Sequence, residues 1–249
     1  MTTKETNGSI LVAGLKNAGK TSLITAILES GKEKNLRIGA AKFFDGNLSR
    51  MNQEEKLTDA EKILRVIEPK AGINLITPYH SYGNFPLEFS FQFDYIAVDL
   101  TVAEKNLRIL QNNYDPLLLE TPPSLYMPIT EQSFTLDWMK TIGKKVFWVA
   151  CIEEDNLPAN LSELEHLKRN GFEVRIILNN AGKIQNAELL FYFWTKMEQS
   201  TGYPVLGMIP FIDNPEENRT NFREKVEANL KNLFDFEFKP FPLGGVANG

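Results

Sequence analysis

The run Ser9-Ile10-Leu11-Val12-Ala13-Gly14-Leu15-Lys16-Asn17-Ala18-Gly19-Lys20-Thr21-Ser22 brings together the residue types that bind phosphate. Residues Gly14 to Thr21 match G-x-x-x-x-G-K-T in full. Glycines let the backbone fold round an anion, so that successive N–H groups and the positive end of a helix face the same phosphates. Lys20 adds a point charge for the outer phosphates, and the Thr21 hydroxyl is placed to take a magnesium ion bridging them. The candidate nucleotide contacts are therefore Gly14, Asn17, Ala18, Gly19, Lys20, Thr21 and Ser22. Lys16 either reaches phosphate or faces water. The chemistry is that of a nucleoside triphosphate site, with Mg2+ as the expected metal.

Such a loop needs a strand before it and a helix after it. Ser9 to Ala13 supplies the buried strand, and Leu23 to Leu28 continues as a helix ending near Gly31. A second strand, Arg37 to Ala41, delivers Lys42 at its C-terminal end, where ligands collect in open parallel sheets. After a polar segment, Asp45 to Lys56, Thr58 and Glu61 form a capping box that starts a helix, which Pro69 closes. Asn74 to Phe93, rich in aromatics, reads as an irregular excursion covering a cleft. Asp94 to Leu100 begins a further strand or leads into a helix over Ala103 to Asn112.

Pro116 to Glu120 is a short buried strand ending in a carboxylate, which needs solvent, a partner or a metal. The alternation continues with helix Phe134–Ile142, strand Lys145–Ala150, helix Leu161–Arg169, strand Val174–Leu178, helix Ala187–Gln199 and strand Val205–Ile209. Right-handed crossovers make this an α/β protein, a parallel sheet with helices on both faces. The tail offers a helix over Thr220 to Leu233 and an alternating strand, Phe234 to Phe238, buried on its own domain or exchanged with a partner subunit. Residues 1–249 are expected to form one domain, with 214–249 as a C-terminal extension.

Composition narrows the function classes. With 249 residues, 43% hydrophobic and 24% charged, the chain can bury a sizeable core. Its net charge of −5 argues against a nucleic-acid surface. Apolar runs are strand-sized and the N-terminus carries no signal-like segment, so a cytoplasmic protein without membrane spans is expected. Cys151, the single cysteine, is expected to be a buried thiol. With two histidines, His80 and His166, a structural zinc site is implausible.

Beyond the loop, the ordered strand ends resemble dethiobiotin synthetase, a family within the P-loop NTPase superfamily. The resemblance covers roughly residues 9–213 and rests on Tyr114-Asp115-Pro116-Leu117-Leu118-Leu119-Glu120, Tyr126-Met127-Pro128-Ile129, Asp137-Trp138, Gly143, Leu178-Asn179-Asn180 and Gly202 to Pro210. It implies that Lys42 binds carbamate and phosphate intermediates. It implies also that Asp59 and Glu120 join Thr21 in holding magnesium, and that Asn179 and the loop after Ile209-Pro210 recognise adenine. Lys20, Lys42 and Glu120 are then the candidate catalytic residues, the partner is a small-molecule substrate, and a homodimer is the implied assembly. Asp59 has an equally simple second reading, a favourable charge at a helix N-terminus.

The sequence also departs from that family. Its phosphate loop is one residue shorter. Phe43-Phe44 follow Lys42, and Asp45-Gly46 stand where the family has a nearby serine. Thr121-Pro122-Pro123-Ser124 replace a glycine-rich turn, and Glu153-Glu154-Asp155 replace a loop that binds the substrate carboxylate. Two function classes follow: an ATP-dependent cyclo-ligase acting on 7,8-diaminononanoate or another organic substrate, and a nucleotide-binding or regulatory relative. A small GTPase fits less well, because Leu178-Asn179-Asn180-Ala181 lacks the lysine and aspartate of N-K-x-D.

Overall fold

Continuous apolar stretches become the interior strands of one parallel sheet. A computed structural model describes residues 8–46, 58–67, 72–81, 86–153, 155–215 and 217–230. Strand β1 (Ser9–Ala13) is buried along its whole length, pairing with β5 (Leu117–Glu120) on one side and β8 (Lys145–Cys151) on the other. Burial on both faces is why these strands read as unbroken hydrophobic runs rather than alternating ones. The sheet is completed by β2 (Gly39–Ala41), β9 (Glu173–Asn179) and β10 (Val205–Ile209), in the order β10-β9-β8-β1-β5-β2. Every pairing in it is parallel.

Helices cover both faces, as the α/β P-loop pattern requires. Helix α1 (Lys20–Glu33) lies against α2 (Asp59–Ile67) and α9 (Arg219–Asn229), while α7 (Asn156–Arg169) lies against α8 (Ala187–Thr201). Arg219 and Arg223 of α9 pair with Glu29 and Glu33 of α1, tying the helix that follows the phosphate loop to the C-terminal helix. Among the described residues no helix is long and apolar enough to cross a membrane.

Residues 74–93, expected to be irregular, instead carry short regular elements. They include most of α3 (Ile73–Ile76), together with β4 (Tyr79–His80) and α4 (Leu87–Phe93); β4 pairs in parallel with β3 (Phe44–Asp45), just beyond Lys42. Tyr79 and Phe91 of this region are buried while Phe89 and Phe93 are exposed; Phe44 stacks on Tyr79 with ring centroids 5.6 Å apart and meets Trp138 edge-on at 5.1 Å. Asp94 to Asp99 forms no strand and leads into α5 (Leu100–Asn113), capped by the Asp99 carboxylate accepting from Thr101 N at 2.9 Å. A small antiparallel pair, β6 (Pro128–Thr130) with β7 (Ser133–Phe134), precedes α6 (Thr135–Ile142). The expected stop at Pro69, Gly83 within the excursion, Glu154 and the strand at Phe234 to Phe238 lie outside the described residues.

Candidate functional site

The loop between β1 and α1 takes its shape from two glycines. Gly14 has φ +154°, and a Cβ there would stand 2.3 Å from the Val149 carbonyl oxygen. Gly19 has φ +93°, and a Cβ would stand 2.4 Å from Asn179 Nδ2. Both the left-handed backbone and the close approach of β8 and β9 exclude a side chain. Asn17, at φ +59°, is of the residue type that tolerates this conformation best after glycine. Gly19 is the N-cap of α1 and offers no side-chain cap, so the first amides of the helix remain available to an anion.

Lys20 is 7% exposed and folds back over the loop, donating to the carbonyl oxygens of Gly14 at 3.0 Å and Leu15 at 2.8 Å. Burial pulls its pKa down to about 8, against the attraction of the Glu120 carboxylate. Next to it, the Thr21 hydroxyl donates to Glu120 Oε2 at 2.8 Å. Glu120, at the end of β5, is 3% exposed.

Lys42 stands at the centre of a group of carboxylates. Its Nζ is 2.6 Å from Asp59 Oδ2, 3.3 Å from Glu120 Oε1 and 3.6 Å from Asp45 Oδ1. Burial alone would lower the Lys42 pKa, yet Glu120, Asp45 and Asp59 together hold it above the ordinary lysine value. Burial opposes ionisation of Asp59, but the Lys42 ammonium outweighs it and holds Asp59 below the usual carboxylate range. The capping box that starts α2 fixes Asp59: Glu61 N donates to Thr58 Oγ1 at 3.2 Å, and Thr58 N donates to Glu61 Oε2 at 2.8 Å. Asp59 thus stands at the first position of a helix, as the simpler of its two sequence readings has it, and also contacts Lys42.

These groups open into one cleft of about 610 Å3. Its floor is the phosphate loop from Lys16 to Ser22, and its sides carry Lys42, Asp45, Asp59, Lys62, Glu120 and the turn Thr121-Pro122-Pro123. That turn is held from α7, where Glu163 accepts from Ser124 Oγ at 2.8 Å and from Leu125 N at 3.1 Å. Asn179 and Pro210 do not line the cleft. Asn179 supports the loop from behind, donating from Nδ2 to Ala18 O at 2.9 Å. Pro210 follows β10 directly, beside Asn180, whose N–H donates to Ile209 O at 2.9 Å. The Asn180 side chain brackets Ile184, donating to its carbonyl at 2.8 Å and accepting from its N–H at 3.0 Å.

Among the described residues no three His, Cys, Asp or Glu side chains gather as a cage for a metal ion. Two carboxylates and a threonine hydroxyl beside a phosphate loop fit magnesium instead, which takes a few hard oxygen ligands from protein and the rest from phosphate and water. Asp45, Lys62 and the apolar lining, Phe44, Leu87 and Met127, were not singled out from sequence as site residues. The signal for Asp45 was present in its position three residues after Lys42, at the C-terminal edge of the sheet.

Comparison with known proteins agrees with the α/β P-loop fold. The family described as an AAA domain (AAA_26) matches residues 9–219. An ATP-dependent dethiobiotin synthetase BioD from Clostridium acetobutylicum is 28% identical over 141 residues, covering 55% of this chain and 57% of that protein. One from Thermodesulfovibrio yellowstonii is 25% identical over 229 residues, covering 88% of this chain and 92% of that protein. Among solved structures, a putative plasmid partition protein from Borrelia burgdorferi bound to AMPPNP superposes with TM-score 0.57 at 16% identity, over 93% of this chain and 98% of that one. The MinC:MinD cell division complex of Aquifex aeolicus superposes at 0.53 and 14% identity, over 96% and 99%. The structural likenesses carry the fold alone; with the family match across most of the chain, the protein belongs to the AAA_26 AAA-domain family and is a divergent, dethiobiotin synthetase-like P-loop NTPase.

Proposed function

We propose that the chain is an ATP-dependent cyclo-ligase that carboxylates a diamine and closes a cyclic urea, with 7,8-diaminononanoate as the substrate to test first. The observation that carries this reading is the convergence of Lys20, Thr21, Lys42, Asp59 and Glu120 on one cleft. An ATPase needs the phosphate loop and a magnesium site. A buried lysine ringed by carboxylates across from that loop is an additional provision, suited to an anionic acceptor.

In this reading the phosphate-loop amides and Lys20 hold the outer phosphates of ATP, with Gly14, Asn17, Ala18, Gly19 and Ser22 shaping the cradle. Adenine recognition falls to Asn179 and the loop after Pro210. Thr21, Asp59 and Glu120 hold Mg2+, which neutralises charge on the phosphates when bound. One substrate amine attacks the carbon of CO2, forming a C–N bond and losing a proton to give a carbamate. A carbamate oxygen attacks the γ-phosphorus and ADP departs. The second amine then attacks the carbonyl carbon, losing a proton and expelling phosphate as the ring closes. Lys42 supplies the positive charge beside the carbamate and the transferring phosphoryl group, so no protein nucleophile is required. A homodimer in the cytoplasm is part of the same reading.

One feature favours a second reading, a nucleotide-binding relative without ring closure. Pro122 and Pro123 offer no N–H donors on the wall where the organic substrate approaches, and Glu153 and Asp155 are exposed acids beyond β8. Release of ADP from Mg-ATP and bicarbonate, with and without 7,8-diaminononanoate and with Lys20→Ala as control, separates the two. Diamine-dependent release lost in the variant supports the ligase; nucleotide binding indifferent to the diamine supports the binding protein.

A further inference from the structure

The turn after Glu120 is a wall of the cleft with little to offer a water molecule. Pro122 and Pro123 line the cleft and carry no N–H. Donors around them are committed within the protein. The Thr121 N–H donates to Val12 O at 3.0 Å and its hydroxyl to Pro122 O at 3.1 Å. The Ser124 hydroxyl donates to Glu163 Oε1 at 2.8 Å, and the Leu125 N–H to Glu163 Oε2 at 3.1 Å. The wall begins one residue after Glu120, whose carboxylate meets the Thr21 hydroxyl at 2.8 Å and Lys42 Nζ at 3.3 Å. A phosphate loop brings the outer phosphates to Lys20 and Thr21, so this wall borders them.

Prolines fix φ within the turn, but its place in the cleft is set from α7. That helix is anchored to the sheet by Asn160, which is 2% exposed: Trp148 Nε1 of β8 donates to Asn160 Oδ1 at 2.8 Å, and Asn160 Nδ2 donates to Asn156 O at 2.7 Å. Glu163 follows three residues later on the same side of the helix, and three further on His166 Nδ1 meets the Tyr126 hydroxyl at 3.0 Å. One helix face thus holds the chain on both sides of the buried Leu125. A carboxylate accepting from two neighbouring donors makes the stronger of these holds, because its bonds are charge-assisted.

We propose that Glu163 is a positioning residue that keeps the Thr121-Pro122-Pro123 wall closed against water, so that the γ-phosphoryl group passes to an organic oxygen rather than to a water oxygen. It touches no reacting atom and acts through Ser124 and Leu125. This deepens the cyclo-ligase reading and rests on it for the organic acceptor; the hydrolysis that Glu163 prevents needs only the phosphate site. In that hydrolysis a water oxygen bonds to the γ-phosphorus, the bond to the ADP oxygen breaks and the water gives up a proton, leaving ADP and phosphate. Exclusion of water is what suppresses such a side reaction.

The test is ADP release from Mg-ATP in 18O-labelled water, without bicarbonate or diamine, by the native protein, Glu163→Ala, Ser124→Ala and Glu163→Gln. Loss of hydrogen bonds to a charged group shifts a closed-to-open balance by about tenfold or more, so Glu163→Ala should release ADP about tenfold faster than native, with labelled oxygen in the phosphate. Ser124→Ala keeps the Leu125 contact and should show a smaller rise. Glu163→Gln can accept from the Leu125 N–H and donate to Ser124 Oγ, so it should stay within about twofold of native. KM for Mg-ATP should change by less than about twofold in all three. Unchanged or slower release by Glu163→Ala overturns the proposal, because a merely structural role lowers melting temperature without speeding hydrolysis. A rise matched by an equal rise in KM for Mg-ATP, or one that Glu163→Gln shares in full, overturns it too. Adding bicarbonate and 7,8-diaminononanoate to the native protein tests the ring-closing reading separately: no diamine-dependent release sinks that reading, while the rates on Mg-ATP alone still decide the role of Glu163.

Discussion

The Thr21 hydroxyl donates to Glu120 across 2.8 Å, joining the first turn of α1 to the end of β5 over ninety-nine residues of sequence. Glu120 also meets Lys42 at 3.3 Å, so one buried carboxylate spans the phosphate loop and the far side of the cleft. Glu120→Gln keeps the shape and the hydrogen-bonding capacity but removes the charge. ADP release should then need at least about tenfold more Mg2+ for half-saturation, with nucleotide affinity without metal little changed. A magnesium titration of the variant checks this, and an unaltered Mg2+ requirement would count against a metal role for Glu120.

Lys42→Ala is expected to spare ATP binding and to lower turnover by two orders of magnitude or more, as for loss of a group that stabilises developing charge. It also leaves Asp45, Asp59 and Glu120 around an empty position. Removing one partner of a buried ionic group costs about 3–5 kcal/mol, so the variant should unfold at lower denaturant concentration. Equilibrium nucleotide binding, single-turnover kinetics and urea unfolding measure the three effects separately.

Gly19→Ala must hold a methyl group 2.4 Å from Asn179 Nδ2 at a φ of +93°. The strain should cost about 1–3 kcal/mol and widen the loop, weakening nucleotide binding. Adding Asn179→Gly relieves the clash but not the backbone strain, so recovery in a double-variant cycle should be partial.

Much of this site was legible because apolar strands and capping signals declare where a parallel sheet ends. The phosphate loop, the delivery of Lys42 after β2 and of Glu120 at the end of β5, and the capping box before Asp59 follow from local pattern. The short β3 and β4 strands did not: two residues each carry no periodicity, and the Tyr79 to Phe44 stack that holds them depends on packing between segments far apart in sequence. The approach of Asp45, Asp59 and Glu120 to one lysine was hidden for the same reason: strand order sets β2 beside β5, but the places of β3 and α2 depend on packing between distant segments.

Thr58→Ala removes the hydroxyl of the capping box and should destabilise α2 by about 1 kcal/mol. Because Asp59 begins that helix, turnover should fall more than stability alone explains, while Thr58→Ser restores both. Melting temperature and ADP release on the same three proteins check the distinction.

Cys151 provides a pH prediction. Burial, with the Glu153 carboxylate nearby, pushes its thiol up to about 11 from an ordinary value near 9. Between these values the unfolded chain has lost the proton and the folded chain keeps it, so this group lowers stability as pH rises from about 9 to 11. Native protein should resist iodoacetamide at pH 8 and react once unfolded, and Cys151→Ala should flatten the alkaline loss of melting temperature.

The central claim, ring closure on a diamine at the Lys20 and Lys42 cleft, is tested most directly with 13C-bicarbonate, Mg-ATP and 7,8-diaminononanoate, reading the organic product by mass spectrometry. The account predicts a cyclic urea one mass unit heavier than from ordinary bicarbonate, formed with equal amounts of ADP and phosphate and absent in Lys20→Ala. ADP and phosphate released without any labelled organic product would contradict it.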